Sequence, residues 1–305
     1  MTELQKMSKT TDKSYIPLPD RGLIKIEGPD ARDYLQGLVS QDMERVTAET
    51  AVYSAFLSPQ GKFLFDFFVF EMAGVLMLDC EGPRRSDLFK RLSMYKLRSD
   101  VELSDVTDDF RIYGVLDTLN FTKRGECAPF GDGVAYVDPR MHTMGCRVVL
   151  PGNNTSALDE AGLIAADTAT YEHRRIELGL ADGSRDMKVD RALLLENGFE
   201  ELDGVDFSKG CFMGQELTAR TRYRGLVKKR LLPVKIDGVA PENGAVFELN
   251  GREAGEMRTS SENMGLALVR LDTLQDGVRY TSPKATLTPI VPDWVVFQNP
   301  DSGDA

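Results

Sequence analysis

The chain has 305 residues, with 37 Lys and Arg against 48 Asp and Glu, a formal net charge of −11, and its length suggests two or three packed units with ample chain for a core. A content of 42% hydrophobic and 28% charged residues excludes whole-chain disorder, collagen-like repeats and coiled coil. The most apolar run, Phe63 to Phe70, is strand-length and broken by Asp66, so no membrane span is expected.

From Tyr15 the pattern is strand, turn, helix: RGLIKI is apolar, Gly28-Pro29 punctuates, and Asp30 can cap a helix with Leu35, Leu38 and Val39 on one face. An antiparallel meander follows, Val52 to Leu57, a turn at Ser58-Pro59-Gln60-Gly61, Lys62 to Glu71, a turn at Ala73-Gly74, and Val75 to Cys80. Pro83 suits the first turn of a helix in which Leu88, Phe89, Leu92 and Tyr95 recur at helical spacing, and Val101 to Asp105 returns as a strand. Strands are predicted at Arg111 to Leu116, Val134 to Val137 and Cys146 to Leu150, with a hairpin turn at Gly131 to Gly133 and a loop at PGNNTS. Asp167 then caps a helix that ends near Gly179. The rhythm is α+β. From Lys229 to about Pro300, short strands separated by Gly, Pro and Asn predict a small all-β domain, a barrel or a sandwich, and the terminal NPDSGDA should fray.

The N-terminal MTELQKMSKTTDKS has neither an apolar h-region nor the Arg-rich character of a transit peptide, which points to a cytoplasmic address. Cys80, Cys127, Cys146 and Cys211 are too scattered for a disulfide framework and are expected as reduced thiols. With His142 and His173 as the two histidines and no CxxC or HExxH, no stably bound metal is expected. GxGxxG, Walker and GxSxG patterns are also missing from the sequence.

The most informative stretch is DFSKGCFMGQELTARTRYRGLVKKRLLPVK, from Asp206 to Lys235. Between Leu217 and Ile236 it has no acid, while Arg220, Arg222, Arg224, Lys228, Lys229, Arg230 and Lys235 make seven cations. This is either a solvated basic face or a surface for an anionic partner. Extended, the three arginines share a face; on a helix they fan out. Cys211 stands between Gly210 and Phe212, before a helix that starts near Gly214 and runs through Gln215. A helix N-terminus and nearby cations favour the thiolate, the nucleophilic and metal-binding form, against the alternative of an inert apolar cysteine.

Glu177, in RRIELGL, falls in the last turn of its helix, where a carboxylate opposes the macrodipole at a cost of roughly 0.3–1 kcal/mol. Either Arg174 or Arg175 compensates it, or the carboxylate is offered to a ligand with paired N–H donors, such as an amidine or a pterin edge. Asp66 interrupts FLFDFFVF and shares a strand face with Leu64 and Phe68. It is either solvent-facing on a half-exposed sheet or held in a ligand pocket.

At these residues the sequence resembles the YgfZ family, folate-binding iron-sulfur assembly proteins related to the aminomethyltransferase (T-protein) of the glycine cleavage system. KGCFMGQELTAR from Lys209 matches the signature K-G-C-[FY]-x-G-Q-E, and TRYRGLVKKRLLPV looks like the branch that includes the mitochondrial iron-sulfur assembly factors. DYLQGLVSQD, SPQGKFLFDFFVF, RRIELGLADGSRD and GLALVR extend the likeness over nearly the whole chain. The resemblance implies an aminomethyltransferase-like ring of three subdomains around a folate pocket. These would be a discontinuous α+β lobe (15–50 with 108–228), a second α+β lobe (51–107) and a C-terminal β-barrel (229–300).

It further implies tetrahydrofolate or a derivative as cofactor, Glu177 at the pterin, and Arg220, Arg224 and Gln215 among the folate-binding residues. Cys211 is then the signature thiol and a transient cluster ligand, and Asp66 falls where aminomethyltransferases carry a catalytic aspartate. Those enzymes have two adjacent acids where this chain has Phe65-Asp66, and they lack the KGC motif, which speaks against transferase activity. The function so implied is an accessory role in assembly or repair of iron-sulfur clusters in client enzymes, with those clients or other assembly factors as partners. The alternatives are a folate-dependent one-carbon transferase and an RNA-binding or tRNA-modification accessory protein, nucleic acid being disfavoured by the acidic remainder of the chain.

Overall fold

The computed structural model describes residues 13–297, so the fraying expected of NPDSGDA lies outside the described residues. In chain order the elements are β1 (Ser14–Pro17), β2 (Arg21–Glu27), α1 (Ala31–Gln36), β3 (Val52–Leu57), β4 (Phe63–Met72), β5 (Val75–Glu81), α2 (Arg85–Tyr95) and β6 (Glu102–Asp105). Then come β7 (Phe110–Val115), β8 (Cys127–Phe130), β9 (Gly133–Val137), β10 (Cys146–Pro151), α3 (Ser156–Glu160), β11 (Ile164–Ala165), α4 (Thr168–Glu177), α5 (Gly183–Asp186) and α6 (Gln215–Tyr223). The C-terminal strands are β12 (Lys229–Gly238), β13 (Val246–Leu249), β14 (Arg252–Ser261), β15 (Met264–Arg270), β16 (Tyr280–Ser282) and β17 (Ala285–Pro289). The fold is α+β with a closed C-terminal barrel.

Most elements form where the hydrophobic pattern places them. Asp167 caps α4 as predicted, its Oδ1 accepting from the Thr170 N–H at 3.0 Å. Asp30 does something else: its carboxylate accepts from the Asp100 N–H at 2.7 Å. Helix α1 stops at Gln36, before Leu38 and Val39, because Gly37 follows and the chain turns back with both N–H groups on the Leu35 carbonyl. Ser156–Glu160 is a short helix that the polar PGNNTS context conceals.

The chain divides into two compact units. The first comprises residues 13–31, Arg45–Val52 and Phe68–Tyr171; the second comprises Arg32–Glu44, Tyr53–Phe67 and 172–297. In the first, a sheet of order β11-β1-β7-β10-β9-β8 has Tyr113 opposite Val148 and Val148 opposite Ala135. Tyr113, Val115, Cys146, Val148 and Leu150 recur at every second position in one core with Leu158 of α3. The strands β5-β2-β6 are neighbours beside the end of β4, with Ile24 opposite Leu78.

Asp79 of β5, fully buried, organises the polar interior of this unit. Its Oδ1 accepts from Arg21 Nε at 2.6 Å, and its Oδ2 accepts from Arg147 Nη1 and the Tyr136 hydroxyl at 2.9 Å each. The Arg147 guanidinium lies 4.2 Å from the Phe68 ring centroid and Arg140 lies 5.0 Å from it, a buried cation–π stack. Arg140 is in turn paired with Asp138 at 2.8 Å. Burial alone would push Asp79 up, but the Arg21 and Arg147 guanidiniums and the hydrogen bonds from Arg21 and Tyr136 outweigh it and hold the carboxyl below its ordinary 3.8.

In the second unit, the barrel closes in the order β12-β15-β14-β13-β16-β17, since β12 pairs with β15 along one edge and with β17 along the other. Leu232, Val234 and Ile236 alternate inward with Ala267, Val269, Phe247, Tyr280 and Leu287. Arg175 of α4, 1% exposed, donates to Asp186 at 2.7 Å, to Glu172 at 3.0 Å and to Thr259 of β14 at 2.9 Å. This ties α4 and α5 to the barrel wall, and it explains why RRIELGLADGSRD is so polar for a buried segment.

Replacing one partner of a buried pair strands the other charge, at about 3–5 kcal/mol, so Asp79→Asn should lower unfolding free energy by about that much at neutral pH. A carboxyl held below its unfolded value contributes stability that is present above 3.8 and is lost as pH falls through the lower folded value. The gap between wild type and Asp79→Asn in urea denaturation should therefore narrow in acid. An equal gap at all pH values would show that Asp79 acts by packing alone.

Candidate functional site

The segment 203–215 lies along the segment 36–42. Ser40 Oγ donates to the Gly204 carbonyl at 2.6 Å, Gln41 Nε2 donates to the Asp203 carbonyl at 2.7 Å, and the Asp206 N–H donates to the Ser40 carbonyl at 3.0 Å. Lys209 then directs its ammonium into the turn after α1, with the carbonyls of Gln36, Val39 and Gln41 at 2.8, 2.6 and 2.9 Å. Past the thiol, the Met213 N–H donates to the Gly37 carbonyl at 3.1 Å. The sequence DYLQGLVSQD is thus the seat of the KGC loop.

Of the four cysteines, Cys211 is exposed and the other three are buried. Burial pushes the Cys80 and Cys127 thiols up to about 12, and Cys146 also upward. Gly210 and Gly214 flank Cys211 with φ of 95° and 78°, left-handed values that let the chain bulge outward and re-enter as α6. A Cβ on Gly214 would stand 2.4 Å from the Ser58 carbonyl and 3.0 Å from Gly61 Cα, so the SPQG turn is packed on the start of α6. Gln215 folds back, its Oε1 accepting from the Phe212 N–H at 2.7 Å. The Lys209 ammonium, a cation two residues from the thiol in sequence, is committed to backbone carbonyls.

Because Gln215–Tyr223 is a helix, the arginines fan out. Arg220 pairs with Glu216 one turn back at 2.7 Å, Arg222 binds Glu200 and lies 4.5 Å from the Phe207 ring centroid, and Arg230 is buried against Glu201 and the Leu195 carbonyl. Arg224 at the C-cap is exposed. The seven cations of the sequence therefore do not form one basic face.

Glu177 occupies the last residue of α4, as expected, but its neighbour is His173 at 3.4 Å; Arg175 is turned to Glu172 and Asp186. Its side chain is 39% exposed, so the carboxylate can accept from a ligand. Asp66 is 6% exposed, in a strand buried on both faces over Phe63–Phe70, and its Oδ2 accepts from the Tyr53 hydroxyl at 2.8 Å. The half-exposed sheet is thus ruled out. Cavities of about 440 Å³, beside Tyr15, Arg21 and Tyr113, and of about 550 Å³, beside Leu274, Val278 and Pro289, are lined by none of these candidates.

Sequence and structure comparisons bear on what this arrangement belongs to. Residues 228–297 match the family description "CAF17, C-terminal beta-barrel domain". The mitochondrial iron-sulfur cluster assembly factor IBA57 of Mus musculus is 32% identical over 91% of this chain and 84% of that protein, and the factor of the same name from Homo sapiens is 30% identical with the same coverage. The chain belongs to the IBA57 family of iron-sulfur cluster assembly factors. The Dictyostelium discoideum homologue is 30% identical over 81% of this chain and 68% of its own length. A crystal structure of glycine cleavage system aminomethyltransferase T from Bartonella henselae superposes with a TM-score of 0.74 at 16% identity, covering 92% of this chain and 86% of that one, which shows the aminomethyltransferase fold.

For this IBA57-family chain, the cytoplasmic address is corrected: the relatives from Mus musculus, Homo sapiens and Dictyostelium discoideum are named as mitochondrial proteins. The expectation rested on the composition of MTELQKMSKTTDKS, and compartment is a receptor-read address that the folded body does not encode. Among the described residues no helix is long and apolar enough to cross a membrane, and no group of three or more His, Cys, Asp or Glu could hold a metal ion. Sequence reading missed the anchoring roles of Gln36, Gln41 and Lys209. The available signal was Lys209 itself, a long cation in a Gly-rich loop.

Two outcomes check this geometry. In the folded protein, iodoacetamide should give one adduct by mass spectrometry, at Cys211, and four after denaturation; native modification of Cys80, Cys127 or Cys146 would contradict their burial. Gly214→Ala forces a side chain into left-handed backbone against the Ser58 carbonyl and should lower stability by about 1–3 kcal/mol. An unchanged urea midpoint would show that the SPQG turn yields freely.

Proposed function

We propose that the chain is a tetrahydrofolate-binding accessory protein for assembly or repair of iron-sulfur clusters in client enzymes, with Cys211 as its working thiol. The observation that carries this reading is the presentation of Cys211: an exposed thiol on a loop tied to 36–42 and to the SPQG turn, whereas the other three cysteines are buried. The names of the relatives support the iron-sulfur cluster assembly part of this reading. One thiolate cannot hold a four-iron cluster, which takes about four, so Cys211 serves as a transient ligand to cluster iron while a client or another assembly factor supplies the rest.

The residues fit tetrahydrofolate in part. Glu177 offers a carboxylate whose neighbour is a histidine at 3.4 Å, suited to a pterin edge with adjacent N–H donors. Arg224 is exposed and suited to an anionic glutamyl tail. Arg220 is shared with Glu216, and Gln215 braces its own loop, so neither leads. When bound, tetrahydrofolate supplies a reduced ring that carries one-carbon units; this chain's part is to seat it through Glu177 and keep the thiol outside. The transferase alternative is weaker, since Asp66 is buried against Tyr53, and the RNA alternative is weakened by the pairing of Arg220, Arg222 and Arg230 with glutamates.

The test has two arms. Anaerobic tetrahydrofolate titrated into wild type should bind saturably, and Glu177→Ala should bind at least tenfold more weakly, about 1.4 kcal/mol. In cells relying on Cys211→Ser, client enzymes with four-iron clusters should lose activity under oxidative stress although the variant folds. Full client activity in that strain removes the thiol role, and no binding by folded wild type removes the folate role.

A further inference from the structure

Cys211 is held from its two sides by two adjacent residues, Gln36 before it and Gly37 after it. Two positions before it, the Lys209 ammonium donates to the carbonyls of Gln36, Val39 and Gln41, and Gln36 Nε2 reaches the Lys209 carbonyl at 3.4 Å. Two positions after it, the Met213 N–H binds the Gly37 carbonyl. The five residues from Lys209 to Met213 therefore form an arch with both feet on Gln36-Gly37 and the thiol at its crown.

An ammonium has three protons and no acceptor, and here it meets three carbonyl oxygens, one for each. A thioether in its place has no donor, and a planar guanidinium cannot converge its fork on three oxygens around one point. The Phe212 ring, centroid 5.3 Å from Nζ, covers the cation from the loop side. The 36–42 segment is itself rigid, with Gln36 bound to Asp42 and to the Met43 N–H at 2.8 Å each. A position imposed on Lys209 is thus transmitted to the arch.

We propose that Lys209 is a positioning residue for Cys211: its ammonium staples the near foot of the arch to the turn after α1 and so fixes the direction in which the thiol is presented. The proposal rests on Cys211 being the working thiol for its biological meaning, but its test reads the arch alone.

The experiment uses the whole chain with a nitroxide label on Cys211, the buried cysteines remaining unlabelled, and compares the electron paramagnetic resonance line shape of wild type, Lys209→Met and Lys209→Arg at pH 7. Wild type should show a restricted label, and both variants should show a mobile component without loss of far-UV circular dichroism, since neither side chain can meet the three carbonyls at one point. A restricted label in either folded variant overturns the staple. If Lys209→Met does not fold, Lys209→Arg decides. The two readings fail separately: full client activity in the Cys211→Ser strain removes the working thiol and leaves the line shape standing, whereas a restricted label in the folded Lys209 variants removes the staple and leaves the thiol.

Discussion

One ammonium against three carbonyls governs the part of the molecule that carries chemistry. The turn after α1 leaves the carbonyls of Gln36, Val39 and Gln41 pointing to one spot, as the end of a helix does when its last acceptors lack intrahelical donors. Lys209, 173 residues from Gln36 in sequence, satisfies all three. Once it is seated, Ser40, Gln41 and Gly37 bind the backbone on both sides of it, Phe212 packs inward, and Gly210 and Gly214 supply the two left-handed residues that throw Cys211 outward. Exposure of one thiol among four is a consequence of that seating.

Elsewhere the interior is held by a second kind of polar constraint. Asp79 with Arg21, Arg147 and Tyr136 in one unit, and Arg175 with Asp186, Glu172 and Thr259 in the other, are buried charges whose groups are nearly all paired. Such networks add little net stability compared with an apolar core, but an unsatisfied member is expensive, so they specify one arrangement strongly. In the second unit the network ends on Thr259 of the barrel, which makes the barrel a fixed wall for α4 and for Glu177 at its end. A carboxylate offered to a ligand needs that kind of rigid base.

The strands and helices were legible where period and punctuation agreed: β3, the SPQG turn, α4 with its Asp167 cap and the strand-rich C-terminus. They were less legible where local chemistry competed. Asp30 looks like a cap and binds Asp100; Leu38 and Val39 continue a helical stripe and lie beyond the helix, because Gly37 breaks it. On the site, KGCFMGQE pointed to Cys211 and the helix after it, and RRIELGL placed Glu177 in a last turn. The pairing of Arg222 with Glu200 and of Arg230 with Glu201, which helps dissolve the basic stretch as a single surface, was invisible because those glutamates stand about twenty to thirty residues away in sequence, whereas the Glu216 partner of Arg220 is one helical turn away.

By itself, the sequence determined the α+β class, the change to an all-β segment at Lys229, the reduced state expected of its cysteines and the likeness that led to the iron-sulfur assembly family. These follow from period, turn chemistry and motif, which are properties of neighbours in the chain. Only the tertiary structure decided that the C-terminal strands close into a barrel, since closure requires β12 to pair on both edges. It alone decided that Asp66 is buried against Tyr53 and that Lys209 grips the turn after α1. Each of these joins side chains and backbone groups across distances in sequence that no local pattern encodes, and each is selected by the cost of leaving a buried polar group without a partner.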